Sequence, residues 1–182
     1  MKKNTLILIL FFLSSNFSFS QSQEPDEFES EVLNCIYQKY DSIGLDLKSE
    51  LMRFENYLIE TKQLNNKSGE SYIEIFKKIV KLNNIPVLLD LEKFRIKNNT
   101  PENYPLFAKC FHSKKNDKDL KNSESKLKEI YNIIENQSKN TENILSEFAK
   151  QILNVLDSKD FENEFYRIWA LNTFYFTADI AY

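Results

Sequence analysis

Residues 46–58 read DLKSELMRFENYL, with Leu47, Leu51, Phe54 and Leu58 at i, i+4, i+7 and i+11. That spacing returns to one face of an α-helix at every turn. Asp46, directly before the first leucine, is of the residue type that caps a helix N-terminus. The same pattern extends in both directions. Upstream, Asp26 can cap a helix carrying Phe28, Val32, Cys35, Ile36 and Tyr40, and Gly44 can end it in the left-handed conformation that glycine tolerates. Downstream, residues 65–69 read as a loop. Ser71 and Glu74 then have capping-box spacing ahead of Tyr72, Phe76, Ile79 and Leu82.

Pro86 can open a fourth helix with Val87, Leu91 and Phe94, although residues 85–89 also fit a short buried strand. Residues 98–122 are the least regular: Pro101 and Pro105 break continuity, and 113–122 reads as a polar, mobile loop. Helical spacing resumes at Leu127, Ile130, Tyr131 and Ile134, and again at Leu145, Phe148, Ala149, Ile152 and Leu156. The last segment, 160–182, is apolar at Phe161, Phe165, Ile168 and Trp169. The expected architecture is all-α, an irregular bundle of six or seven amphipathic helices. A short β element near 85–89 or at the C-terminus is the alternative. No internal repeat is evident.

Composition agrees with a folded domain. Of 182 residues, 42% are hydrophobic and 28% charged, too apolar for disorder. Two glycines, Gly44 and Gly69, exclude a Gly-rich phosphate loop, and one histidine excludes paired-histidine zinc motifs. Residues 1–20 have the layout of a cleaved secretory signal: Lys2 and Lys3, an apolar run from Leu6 to Leu13, then Ser18 and Ser20 at the −3 and −1 positions of a cut before Gln21. The run falls short of the roughly 20 residues that a membrane span needs. Residues 21–182 then form a single helical domain, expected to be periplasmic or secreted. Cleavage removes two of 24 basic residues and none of 27 acidic ones, leaving net charge −5. Both signs alternate without a basic block, so nucleic acid is not an expected partner. Nor does the mature chain contain a membrane span.

In an exported protein two thiols are expected to be joined, so Cys35 and Cys110 are assigned a disulfide tying the irregular region to the bundle. Cys35, Cys110 and His112 could offer three ligands to a metal. A structural zinc site wants four, and an oxidising compartment competes for the thiols, so neither metal nor other cofactor is expected. Acids crowd two helix starts, Glu24, Asp26, Glu27, Glu29 and Glu31 near the first and Asp157, Asp160, Glu162 and Glu164 near the last. Such placement complements the helix dipole. The run from Asp157 lacks the glycine and the alternating oxygens of a calcium loop.

For hydrolysis, Glu55, between Phe54 and Tyr57, is the acid singled out, although no spacing selects a catalytic pair. Ser68-Gly69-Glu70-Ser71 lacks the Gly-x-Ser-x-Gly elbow, and a triad there would have to use His112. No catalytic residue is therefore assigned. The most unusual stretch is C-terminal, where Phe161, Phe165, Tyr166, Trp169, Phe174, Tyr175, Phe176 and Tyr182 crowd 22 residues. These rings fit either a core or a partner-covered surface. Phe165, Tyr166, Trp169, Phe174, Tyr175 and Phe176 are the candidates for partner binding. The function expected is that of an exported, non-catalytic envelope interaction protein whose protein partner and oligomeric state are left open. The alternatives are a carboxylate-dependent cell-wall hydrolase and an exported toxin-neutralising immunity protein.

Overall fold

Asp46 caps its helix as the sequence implies. Its Oδ1 accepts from the Ser49 backbone N–H at 3.0 Å and its Oδ2 from the Ser49 hydroxyl at 2.7 Å. These bonds hold the carboxyl below its ordinary pKa. In the computed structural model, residues 27–82, 94, 96, 104–114, 125–137 and 144–179 are described. Among them are seven α-helices, a 3-10 turn and no strand. The helices are α1 (Glu27–Asp41), α2 (Leu47–Glu60), α3 (Gly69–Leu82), α4 (Tyr104–Lys114), α5 (Leu127–Gln137), α6 (Ile144–Val155) and α7 (Glu164–Asp179). The 3-10 turn, Asp160–Glu162, leads into α7. The architecture is the all-α bundle that the periodicity predicts. The signal at 1–20, Asp26 as a cap, the helix or strand at 85–89 and positions 115–122 of the loop expected at 113–122 lie outside the described residues, while Ser113 and Lys114 of that loop are the last residues of α4.

Each amphipathic stripe faces one contiguous core. Leu47, Leu51, Phe54 and Leu58 on α2 are all essentially inaccessible, as are Val32, Ile36 and Tyr40 on α1. Gly44, at φ +76°, turns the chain out of α1, and the Leu45 N–H returns to the Tyr40 carbonyl at 3.0 Å. Among the described residues α3 packs most extensively on α6, followed by α1 on α4; α2 packs on α7, and the 3-10 turn touches both α3 and α7.

Three local expectations are corrected. First, α3 starts at Gly69, so Ser71 lies in its first turn and is no cap. The Ser71 hydroxyl instead donates to Asn66 Oδ1 at 2.9 Å and accepts from the Asn66 N–H, closing the preceding loop. Gly69 is required there because a Cβ would sit 1.7 Å from the Ser158 carbonyl oxygen. Second, Pro105 does not break regular structure. It occupies the first turn of α4, where a helix needs no backbone donor. Third, Phe174, Phe176 and Ala178 belong to α7 and not to a C-terminal strand.

Helix α7 is the centre of the bundle. Phe165, Tyr166, Ile168, Trp169, Ala170, Leu171, Phe174 and Tyr175 are buried around its circumference. A helix apolar on every side must be surrounded. Phe76 of α3 is the hub of its aromatic contacts, with ring centroids 6.0 Å from Phe161, 6.5 Å from Trp169 and 5.1 Å from Phe174. Phe161 in turn stacks on Tyr72 at 5.3 Å.

Candidate functional site

The cysteines meet as the sequence suggests: Cys35 of α1 and Cys110 of α4 form a disulfide with Cα atoms 5.8 Å apart. Both sulfurs are thereby consumed. His112, two residues on, is exposed, with Nδ1 2.8 Å from the Tyr131 hydroxyl. The possible Cys35–Cys110–His112 ligand set therefore has no thiolate to offer. Among the described residues no group of three or more His, Cys, Asp or Glu is placed to hold a metal ion. The Ser71 hydroxyl bonds Asn66 and His112 bonds the Tyr131 hydroxyl, not one another.

Glu55 lies at the centre of a polar cluster within the core. It is fully buried on α2, where Tyr72 of α3 donates to its Oε1 at 2.6 Å. The Arg167 guanidinium of α7 bonds Oε1 at 3.0 Å and Oε2 at 3.2 Å, and Lys67 Nζ lies 3.2 Å from Oε2. Three helices and the α2–α3 loop thus converge on one carboxylate. Burial and the adjoining Glu55 charge push the Tyr72 hydroxyl well above its usual range. Burial alone would lower the Arg167 pKa, but Glu55 and Tyr72 outweigh it and raise it. A catalytic acid needs an open face towards substrate; Glu55 is instead closed in by the groups that hold it.

A second buried carboxylate, Glu29 of α1, accepts at Oε1 from the Tyr166 hydroxyl and from the Ser125 hydroxyl, the latter at 2.8 Å. Its Oε2 has no hydrogen-bond partner among the described residues. Burial and Glu29 raise the Tyr166 pKa far above normal. The C-terminal acids have structural roles. Asp160 Oδ2 accepts from the Asp157 N–H at 2.6 Å and pairs with Lys126 at 2.7 Å. Glu164 Oε1 receives Tyr37 at 3.0 Å and Lys48 at 2.6 Å.

The partner-binding candidates are core residues. Phe165, Tyr166, Trp169, Phe174 and Tyr175 each expose less than a twentieth of their surface. Of the two readings of this segment, core and partner-covered surface, those five positions take the first, because the helix needs large side chains on every side. Phe176 lies on the same helix.

A recess that sequence reasoning missed lies elsewhere. Between α3 and the end of α6 is a cleft of about 430 Å³, lined by Glu70, Ile73, Glu74, Lys77, Leu153, Leu156, Asp157 and Ser158. This size is within the range of ligand sites. Ile73, Leu153 and Leu156 supply its apolar walls; three carboxylates and one ammonium are its charged groups. Lys77 is tied to Glu74 at 3.0 Å. Glu70 is exposed, and its own backbone N–H, then Ser158, hold its carboxyl below the ordinary value. The spacing of Glu70, Ile73, Glu74 and Lys77 already marks one strip of α3. Nothing local, however, indicates which helix faces that strip.

The chain matches no protein-family model, no curated protein and no solved structure. No helix among the described residues is long and apolar enough to cross a membrane.

Proposed function

We propose that this is an exported, non-catalytic interaction protein of the cell envelope, periplasmic or secreted, that binds a protein partner through its helical exterior. The observation that carries this reading is the state of Glu55, which Arg167, Lys67 and Tyr72 enclose completely. The acid singled out for hydrolysis, though no spacing selects a catalytic pair, is thus committed to joining three helices. The Cys35–Cys110 disulfide supports export, since such bonds persist in oxidising compartments. The α3–α6 cleft supports binding by offering apolar walls and a polar rim, the general anatomy of a recognition surface.

The test is made on native cells and on the purified protein. Cross-linking in intact cells should join the outer face of the bundle to a second protein. The protein recovered from those cells should begin at Gln21 and resist thiol alkylation. Incubated with purified cell wall, it should release no soluble fragments above a blank. Fragment release that Glu55→Gln abolishes in a folded variant would overturn the reading and favour the hydrolase.

A further inference from the structure

We infer that the cleft between α3 and α6 receives an apolar side chain carried by a basic peptide segment of the partner. This rests on the interaction reading above and names the chemistry of its site. The walls, Ile73, Leu153 and Leu156, are aliphatic and accept an apolar side chain without leaving a polar group unpaired. The rim selects what flanks that side chain. Glu70, Glu74 and Asp157 outnumber Lys77, and Lys77 is already engaged by Glu74. Glu70 and Asp157 therefore present negative charge beside the apolar walls. An acidic segment would be repelled there, whereas lysine or arginine beside the inserted residue is complementary.

The recess is also built into the fold. The α3–α6 contact is extensive, and Gly69 lets the backbone of α3 close against Ser158 at the cleft's end. The walls thus exist before a ligand arrives, which spares the ordering cost of an induced site. Exposed charge pairs contribute modestly, so they set partner choice and association rate more than total affinity.

The probe is an acetylated, amidated decapeptide of alternating lysine and leucine, with a glutamate–leucine peptide of equal length as its counterpart. Each is titrated into the isotope-labelled, disulfide-bonded protein purified after export, and amide shifts are mapped. The lysine peptide should shift Ile73, Lys77, Leu153 and Leu156, weaken with added salt and out-compete its acidic counterpart. The double variant E70Q/D157N, which keeps both side chains as acceptors, should weaken binding by about tenfold. The control E27Q/E129Q, away from the cleft, should leave affinity unchanged. Shifts outside the cleft, equal binding of both peptides, or equal weakening by both double variants would overturn the inference. So would cleft resonances that broaden with protein concentration alone, since the face would then belong to a second copy. None of these outcomes touches the interaction reading, which is overturned by cell-wall fragment release that Glu55→Gln abolishes.

Discussion

Arg167 on α7 reaches Glu55 on α2 across 112 positions of sequence, and its terminal nitrogen bonds both carboxylate oxygens, at 3.0 Å and 3.2 Å. Glu55 is fully buried, while the Arg167 side chain retains 28% exposure. A pair of this kind owes its hold on the fold less to its own attraction than to the cost of separating it.

Removing one partner should therefore be more damaging than the pair's geometry suggests. Glu55→Ala leaves Arg167 and the Tyr72 hydroxyl facing a void and should lower unfolding free energy by about 3 kcal/mol. Glu55→Gln retains an acceptor for Tyr72 and should cost less. Urea unfolding followed by far-UV circular dichroism measures both. Equal stability of all three proteins would show that the cluster is not a structural tie.

The buried tyrosines make the fold sensitive to alkali. Tyr72 and Tyr166 titrate above the ordinary tyrosine value of 10.0 because burial and a neighbouring carboxylate disfavour their anions. Above that value the unfolded chain releases these protons while the folded chain keeps them. Stability is then fully present below about pH 10 and falls as pH rises further, by about 1.4 kcal/mol per pH unit for each tyrosine. Tyr37, beside Glu164, acts in the same direction but is only partly buried. Tyrosinate absorbance should appear together with loss of helix signal; a separate, earlier rise would contradict this.

The disulfide joins α1 to α4 across 75 residues. In the chain-entropy account, closing a loop of that length stabilises by about 4–5 kcal/mol. Reduction, or paired replacement of Cys35 and Cys110 by alanine, should shift the urea midpoint downward by a corresponding amount. An unchanged midpoint would show that the irregular region does not depend on the staple.

Trp169 decides between core and surface for the aromatic segment. It is 2% exposed and packs beside Phe76 and Phe148, at centroid distances of 6.5 Å and 6.1 Å. Trp169→Ala should lose about 3–5 kcal/mol, the usual cost of deleting a large aromatic from a core. A variant that stays fully stable would return Trp169 to the surface.

Much of this was legible locally. The i, i+4, i+7, i+11 stripe of Leu47, Leu51, Phe54 and Leu58, the Asp46 cap and the Gly44 stop depend on residues within one or two turns of each other. Helix periodicity and capping are short-range, so an all-α bundle follows from them. The Cys35–Cys110 pairing was equally accessible, because two cysteines allow only one intramolecular bond. Pro105 was misread because a proline tolerated in a first helical turn has the same sequence signature as one that ends a helix.

What the tertiary structure alone decided is which surfaces meet. The aromatics of α7 fit either a core or a partner-covered surface in the sequence, since ring content does not specify whether neighbours surround a helix on one side or on all. Glu55 gave no sign of Arg167, because an ion pair between distant helices has no sequence spacing. The α3–α6 cleft exists only after Gly69 approaches Ser158 and two helices dock. Periodicity determines which face of each helix turns inward. Side-chain shape, through close packing, determines which inward faces become neighbours and what recess they leave between them.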